Sequence, residues 1–120
     1  MSTVLVVDDS ETVRRMVEET LMEAGFQVVT ACDGVQGLQI AREGVFELVL
    51  TDLHMPRMDG ISLVRELRAL PRWRYTPILI LTTESAPEMK ARGREVGATG
   101  WLVKPFDPLR LLATIQRVLA

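Results

Sequence analysis

Four apolar runs in this chain end in residues that could do chemistry. Val4-Leu5-Val6-Val7 leads to Asp8-Asp9, and Leu48-Val49-Leu50 leads through Thr51 to Asp52. Ile78-Leu79-Ile80-Leu81 leads to Thr82-Thr83, and Trp101-Leu102-Val103 to Lys104-Pro105. Carboxylates gathered at one place repel one another, which raises their pKa values or costs stability unless a cation joins them. His54 and Cys32 are the only residues of their types, so clustered His/Cys zinc sites are excluded and a hard, oxygen-bound ion is expected. Mg²⁺ suits that need, because it takes one or two carboxylates, water and phosphate oxygens. The same set fits phosphoryl transfer, a reaction governed by positioning and by neutralisation of charge on the transferred group. In that chemistry Asp52 is the nucleophile and forms an acyl phosphate. Asp9 binds the metal directly, and Asp8 does so directly or through water. Lys104 pairs with phosphoryl oxygens, and the Thr82 hydroxyl donates a hydrogen bond to them.

For these residues to meet, the apolar runs must be neighbouring strands. Continuous runs rich in branched residues suit strands covered on both faces, as in a parallel sheet. Phe26-Gln27-Val28-Val29-Thr30 adds a fifth candidate strand. Between the strands lie helices with readable ends. Ser10 or Asp9 caps a helix over residues 11–24, which Gly25 stops and on which Val13, Val17, Leu21 and Ala24 recur at helical spacing. Asp33 opens a second helix to Glu43 before Gly44, and Asp59 a third to Leu70 before Pro71. Ser85-Ala86-Pro87-Glu88 reads as a capping box for a fourth, ending at Gly97. Asp107-Pro108 is an N-cap with proline at the first helical position, opening a fifth helix to the C-terminus. Alternating strands and helices predict an open parallel sheet with helices on both faces. In such a sheet ligands gather at the carboxyl ends of the strands where strand order reverses, which is the rim carrying Asp8, Asp9, Asp52, Thr82 and Lys104.

Composition narrows the function further. A chain of 120 residues fits one domain, here 1–120, able to bury a core without disulfides. A net charge of −2 provides no broad basic field for nucleic acid or anionic lipid. No apolar run approaches the ~20 residues needed to span a bilayer. Met1-Ser2-Thr3-Val4 lacks the regions of a signal peptide, so a cytoplasmic location is expected, in keeping with the single cysteine. Cys32 is read as a small buried hydrophobe in preference to a reactive thiol.

The motifs Val-Val-Asp8-Asp9-Ser, Leu-Thr-Asp52-Leu-His-Met-Pro-Arg-Met-Asp-Gly60, Leu-Thr82-Thr-Glu and Val-Lys104-Pro105-Phe106 together resemble the bacterial response-regulator receiver domain, over the whole chain. The resemblance implies a flavodoxin-like, three-layer (βα)5 fold with strand order 2-1-3-4-5. It also implies phosphorylation of Asp52 by a histidine kinase and slow self-dephosphorylation, so the chain is a switch and not an enzyme with a separate substrate. The implied Mg²⁺ ligands are Asp8, Asp9, Asp52 and the backbone carbonyl of His54, and the Lys104-Pro105 bond is implied to be cis.

The resemblance further implies a switch pair. Thr82 moves toward the phosphoryl group and an aromatic on the fifth strand, here Trp101, fills the space; simple packing is the alternative role for Trp101. Trp101 is bulkier than the residue usual in the family, and Thr83 is larger too. His54 and Glu84 should border the site, either tuning the lifetime of the acyl phosphate, with or without a phosphatase, or standing as solvated loop residues. Gly93, inside the fourth helix, signals an easily remodelled helix or close packing on a neighbour. Trp73, in Arg72-Trp73-Arg74-Tyr75, is read as a lid over the local core ahead of a partner anchor. With no further domain after residue 120, output is expected by docking, through Lys90, Arg94, Trp101 and Val103. Resemblance to the stand-alone chemotaxis regulator implies the flagellar motor switch protein as partner. Alternatives are a phosphate sink or relay in surface motility or stress signalling, a Mg²⁺-dependent phosphatase and a flavodoxin-like cofactor binder. The phosphatase would want an acid where His54 stands. The cofactor binder would want a neutral phosphate loop where Asp8-Asp9 stand.

Overall fold

Each apolar run forms a strand in the computed structural model, which describes residues 2–120. The strands are β1 (Thr3–Val7), β2 (Gln27–Ala31), β3 (Leu48–Thr51), β4 (Ile78–Thr82) and β5 (Gly100–Val103). They pair in parallel in the order β2-β1-β3-β4-β5. β1, β3 and β4 occupy the middle of the sheet, and this is why each carries an unbroken apolar run (4–7, 48–50 and 78–81) and not apolar residues at alternate positions.

The alternating side chains supply two cores. Leu5, Val7, Val49, Ile78 and Ile80 point to one face, against Leu38 and Ala41 of α2 (Gly34–Glu43) and Ile61, Val64 and Leu67 of α3 (Gly60–Arg68). Met89 and Val96 of α4 (Pro87–Val96) pack on the same side. Val4, Val6, Leu48, Leu50, Leu79 and Leu81 point to the other face, against Val17 and Leu21 of α1 (Glu11–Glu23) and Leu111 and Ile115 of α5 (Pro108–Leu119). The result is the three-layer sandwich expected from the element order.

The side-chain caps of Ser10, Asp33, Asp59 and Asp107 are all made. The fourth cap is a correction. No side chain caps α4 from the N-cap position, which is Ala86 and not Ser85, because Pro87 already occupies the first helical turn. The Glu84 carboxylate receives the Ala86 N–H instead, at 3.3 Å. The third helix stops at Arg68, two residues short of Leu70, and a 3-10 turn over Pro71–Trp73 follows it.

Cys32 also corrects the sequence reading, because it is exposed. It lies one residue beyond β2, an edge strand, where the chain leaves the protection of the sheet. Trp73 is the lid expected: it is 2% exposed, its indole N–H donates to the Ala41 carbonyl at 3.2 Å, and its ring stacks on Phe46. The Lys104–Pro105 bond is cis. No helix among the described residues is long and apolar enough to cross a membrane.

Candidate phosphoacceptor site

Parallel strands deliver their carboxyl ends to one rim, and register sets which residues meet there. Val7 pairs with Thr51, so Asp8 and Asp52 leave adjacent strands side by side. Thr82 pairs with Val103, so Lys104 leaves β5 beside the end of β4; its N–H donates to the Thr82 carbonyl at 2.8 Å. The carboxylates of Asp8, Asp9 and Asp52 come within 4.8 Å of one another, with Asp8 and Asp52 buried and Asp9 exposed.

Lys104 organises the cluster. Its ammonium donates to Asp8 Oδ2 at 2.7 Å and to Asp52 Oδ2 at 2.9 Å, and its side chain is only 12% exposed. Asp8 Oδ1 accepts the Ser10 N–H at 2.9 Å, and Asp52 Oδ1 accepts the Leu53 N–H at 2.6 Å. Two of the three ammonium donors are thereby used, leaving a third for an incoming oxygen.

The electrostatics follow from burial and crowding. Burial pushes the Asp8 carboxyl above its ordinary value, the Asp52 charge adds to this, and the bonds from Lys104 and Ser10 offset only part. For Lys104, burial acts downward, but hydrogen bonds and charge from Asp8 and Asp52 together outweigh it, so its pKa is raised. Three carboxylates against one ammonium leave an excess of two negative charges when all are ionised. A small divalent cation with a preference for carboxylate oxygen matches that donor set.

A second layer joins the cluster to the α4–β5 side. Thr82 is fully buried, and its hydroxyl accepts the Glu84 N–H at 3.3 Å. The Glu84 carbonyl accepts the Trp101 indole N–H at 2.9 Å, and its carboxylate meets His54 Nε2 at 3.3 Å. The Ala86 N–H, then His54, hold the Glu84 carboxyl below its ordinary value. Glu84 therefore links Thr82, His54, Trp101 and the start of α4, a role that residue type alone did not reveal. Gly93 is explained by packing: a Cβ there would lie 2.9 Å from Trp101 Cζ3. Lys90, Arg94 and Trp101 line a small cavity of about 140 Å³. Val103, 43% exposed, lines a larger groove of about 390 Å³ along α5 with Trp101, Phe106 and Arg110.

Two contributors escaped sequence reading. Arg14 donates to the Asp8 carbonyl at 2.6 Å. Arg57, in the loop after Asp52, pairs with Asp33 at 2.8 Å. Arg57 lies within the motif but carries no type-specific signal, and Arg14 only the helical spacing of α1.

Comparison with known proteins decides the family. Residues 4–116 match the model for the response regulator receiver domain. The chain belongs to this family. The chemotaxis protein CheY-3 of Vibrio cholerae is 34% identical over 96% of this chain and 89% of its own length. The transcriptional regulator ycf27 of Porphyridium aerugineum, described as probable, is 39% identical over 97% of this chain but only 47% of its own. The structure of the chemotaxis response regulator CheY4 of V. cholerae superposes with a TM-score of 0.94 at 50% identity, covering 98% of both chains. The receiver domain of the Pseudomonas aeruginosa sensor histidine kinase PA1611 has a TM-score of 0.92 at 29% identity, covering 98% of this chain and 97% of its own, and holds a magnesium ion in its active-site cleft. The chain is thus a CheY-like receiver domain of a two-component system, a family of phosphoacceptor switches that use Mg²⁺ in an acidic site and act between a histidine kinase and downstream targets.

Proposed function

We propose that Asp52 accepts the phosphoryl group and that the phosphorylated chain signals by docking on another protein, in chemotaxis. The observation that carries the phosphoacceptor assignment is the Lys104 bridge, at 2.7 Å and 2.9 Å, between the Asp8 and Asp52 carboxylates, with Asp9 alongside. Asp8, Asp9, Asp52 and the backbone carbonyl of His54 would hold Mg²⁺, which supplies charge neutralisation for the transferred group. An Asp52 carboxylate oxygen attacks phosphorus, the bond to the donor's nitrogen or oxygen breaks, and an acyl phosphate remains. Lys104 turns its ammonium from the Asp52 oxygen to the phosphoryl oxygens while keeping Asp8.

Signal leaves through Glu84. The Thr82 hydroxyl only accepts in its bond from the Glu84 N–H, so its own O–H is free to donate to the phosphoryl group, and its movement in that direction pulls on the β4–α4 loop. Trp101, bonded to the same residue's carbonyl, carries the change to Lys90, Arg94 and Val103. This is a two-state equilibrium biased by contacts that exist only with the phosphoryl group bound. His54 and Glu84 flank the approach of water and tune the lifetime of the acyl phosphate.

The chemotaxis assignment is supported by CheY relatives that match over nearly their full lengths, with the flagellar motor switch protein as the corresponding target. A role as phosphate sink or relay would separate from it by failure of the phosphorylated protein to bind that target. The test of the chemistry is intact mass after incubation with acetyl phosphate, with and without Mg²⁺. One phosphoryl adduct in the wild type, absent in Asp52→Asn and without Mg²⁺, is expected; no adduct under any condition overturns the assignment.

A further inference from the structure

The loop that follows Asp52 is strained at one residue. Arg57 has φ of 70°, a conformation uncommon for a residue other than glycine. The Met58 N–H donates to the Pro56 carbonyl at 2.8 Å across it, so Arg57 is the centre of a three-residue turn of the rare, positive-φ kind. Such backbone persists only where surrounding contacts over-determine it, and it concentrates at functional sites.

Here the determining contact comes from another loop. Arg57 Nε and Nη2 donate to Asp33 Oδ2 at 3.0 Å and 2.8 Å. Asp33 is itself fixed, because its Oδ1 caps α2 by accepting the Gln36 N–H at 2.8 Å and its side chain is only 8% exposed. The two loops also touch directly, since a Cβ at Gly34 would lie 2.7 Å from Met58 Cβ. At its ends the Asp52 loop is held by other bonds: the Leu53 N–H to Asp52 Oδ1, and the Asp59 cap on α3. The middle, from His54 to Met58, has the Arg57–Asp33 pair and the His54 ring against Glu84 at 3.3 Å.

We infer that Arg57 and Asp33 form a strut that holds the strained loop so that the His54 carbonyl faces the acidic cluster, making both of them positioning residues for Mg²⁺. The inference rests on the proposed role of that carbonyl. It predicts that the side chain of Arg57 matters to metal affinity although it lies outside the ligand set.

The test is calorimetric titration of Mg²⁺ into five proteins, the wild type and four variants, with thermal unfolding measured on each. Arg57→Gly removes the strut while leaving positive φ accessible, and Asp33→Asn keeps a capping oxygen while removing the charge. Each is expected to weaken Mg²⁺ binding about tenfold, as loss of a partner outside the ligand shell commonly does. The double variant should be no weaker than either single one, and Arg57→Lys should recover part of the loss. Unchanged affinity in Arg57→Gly, or losses that simply add in the double variant, would overturn the strut. A wild type that binds no Mg²⁺ would instead overturn the site reading beneath it.

Discussion

Gly93 and Trp101 should behave as one unit, and a double-mutant cycle measures how strongly. Replacing Gly93 by alanine in mid-helix gains about 1 kcal/mol of helix propensity. The new methyl would stand 2.9 Å from Trp101 Cζ3 and 3.2 Å from Cε3, with Ile80 Cδ1 at an ordinary 3.4 Å. The indole cannot retreat freely, because its N–H is committed to the Glu84 carbonyl at 2.9 Å. Over-packing of this kind costs ~1–3 kcal/mol, and loss of the indole bond costs about another 1 kcal/mol. Gly93→Ala should therefore destabilise the wild type by ~1–3 kcal/mol, the propensity gain offsetting the lost indole bond. In a Trp101→Ala background the obstruction is gone, and the same change should stabilise by about 1 kcal/mol. The predicted coupling is ~2–4 kcal/mol, well above the ~0.5 kcal/mol within which independent sites add. Urea unfolding of the four proteins, followed by circular dichroism, reads it directly. Coupling below ~0.5 kcal/mol would show that the indole does not occupy the notch at Gly93.

Two further outcomes follow from the charge cluster. Lys104→Met leaves the Asp8 and Asp52 carboxylates, 3% and 10% exposed, without their cation. It should cost about 3 kcal/mol without metal, and Mg²⁺ should raise the melting temperature of the variant more than that of the wild type. Asp8→Asn acts oppositely. Because burial first, and then Asp52, raise the folded-state pKa of Asp8, its contribution favours folding below its unfolded value near 3.8 and is lost as pH rises through the folded value. Without Mg²⁺ the variant should therefore be more stable than wild type at pH 7 while losing most of its thermal response to the metal, as differential scanning calorimetry would show.

Much of the site was legible because a parallel sheet converts sequence position into spatial position. A buried run ending in a polar residue marks a strand end, and neighbouring strand ends share a rim, which is how Asp8, Asp52, Thr82 and Lys104 could be gathered without coordinates. What was illegible depends on side chains crossing between elements. The Arg57–Asp33 pair is 24 residues apart, and its turn at positive φ has no glycine to announce it. Glu84 is placed by the sequence at the border of the site, as a tuning residue or a solvated one, but its type does not show that its backbone and side chain join four partners. The Ser85 capping box failed for a local reason, since Pro87 sets the start of the helix one residue later. Cys32 failed because a preference for burial says nothing about where an edge strand ends. The two readings of Gly93 were separable only once Trp101 was seen against it.

The central claim is that the phosphoryl group resides on Asp52, and mapping the acyl phosphate tests it most directly. Borohydride reduces an aspartyl phosphate to homoserine, and peptide mass spectrometry then locates the change in protein treated with acetyl phosphate and Mg²⁺. Homoserine is expected at position 52 alone, and none in Asp52→Asn. Homoserine at Asp8 or Asp9, with Asp52 intact, would contradict it.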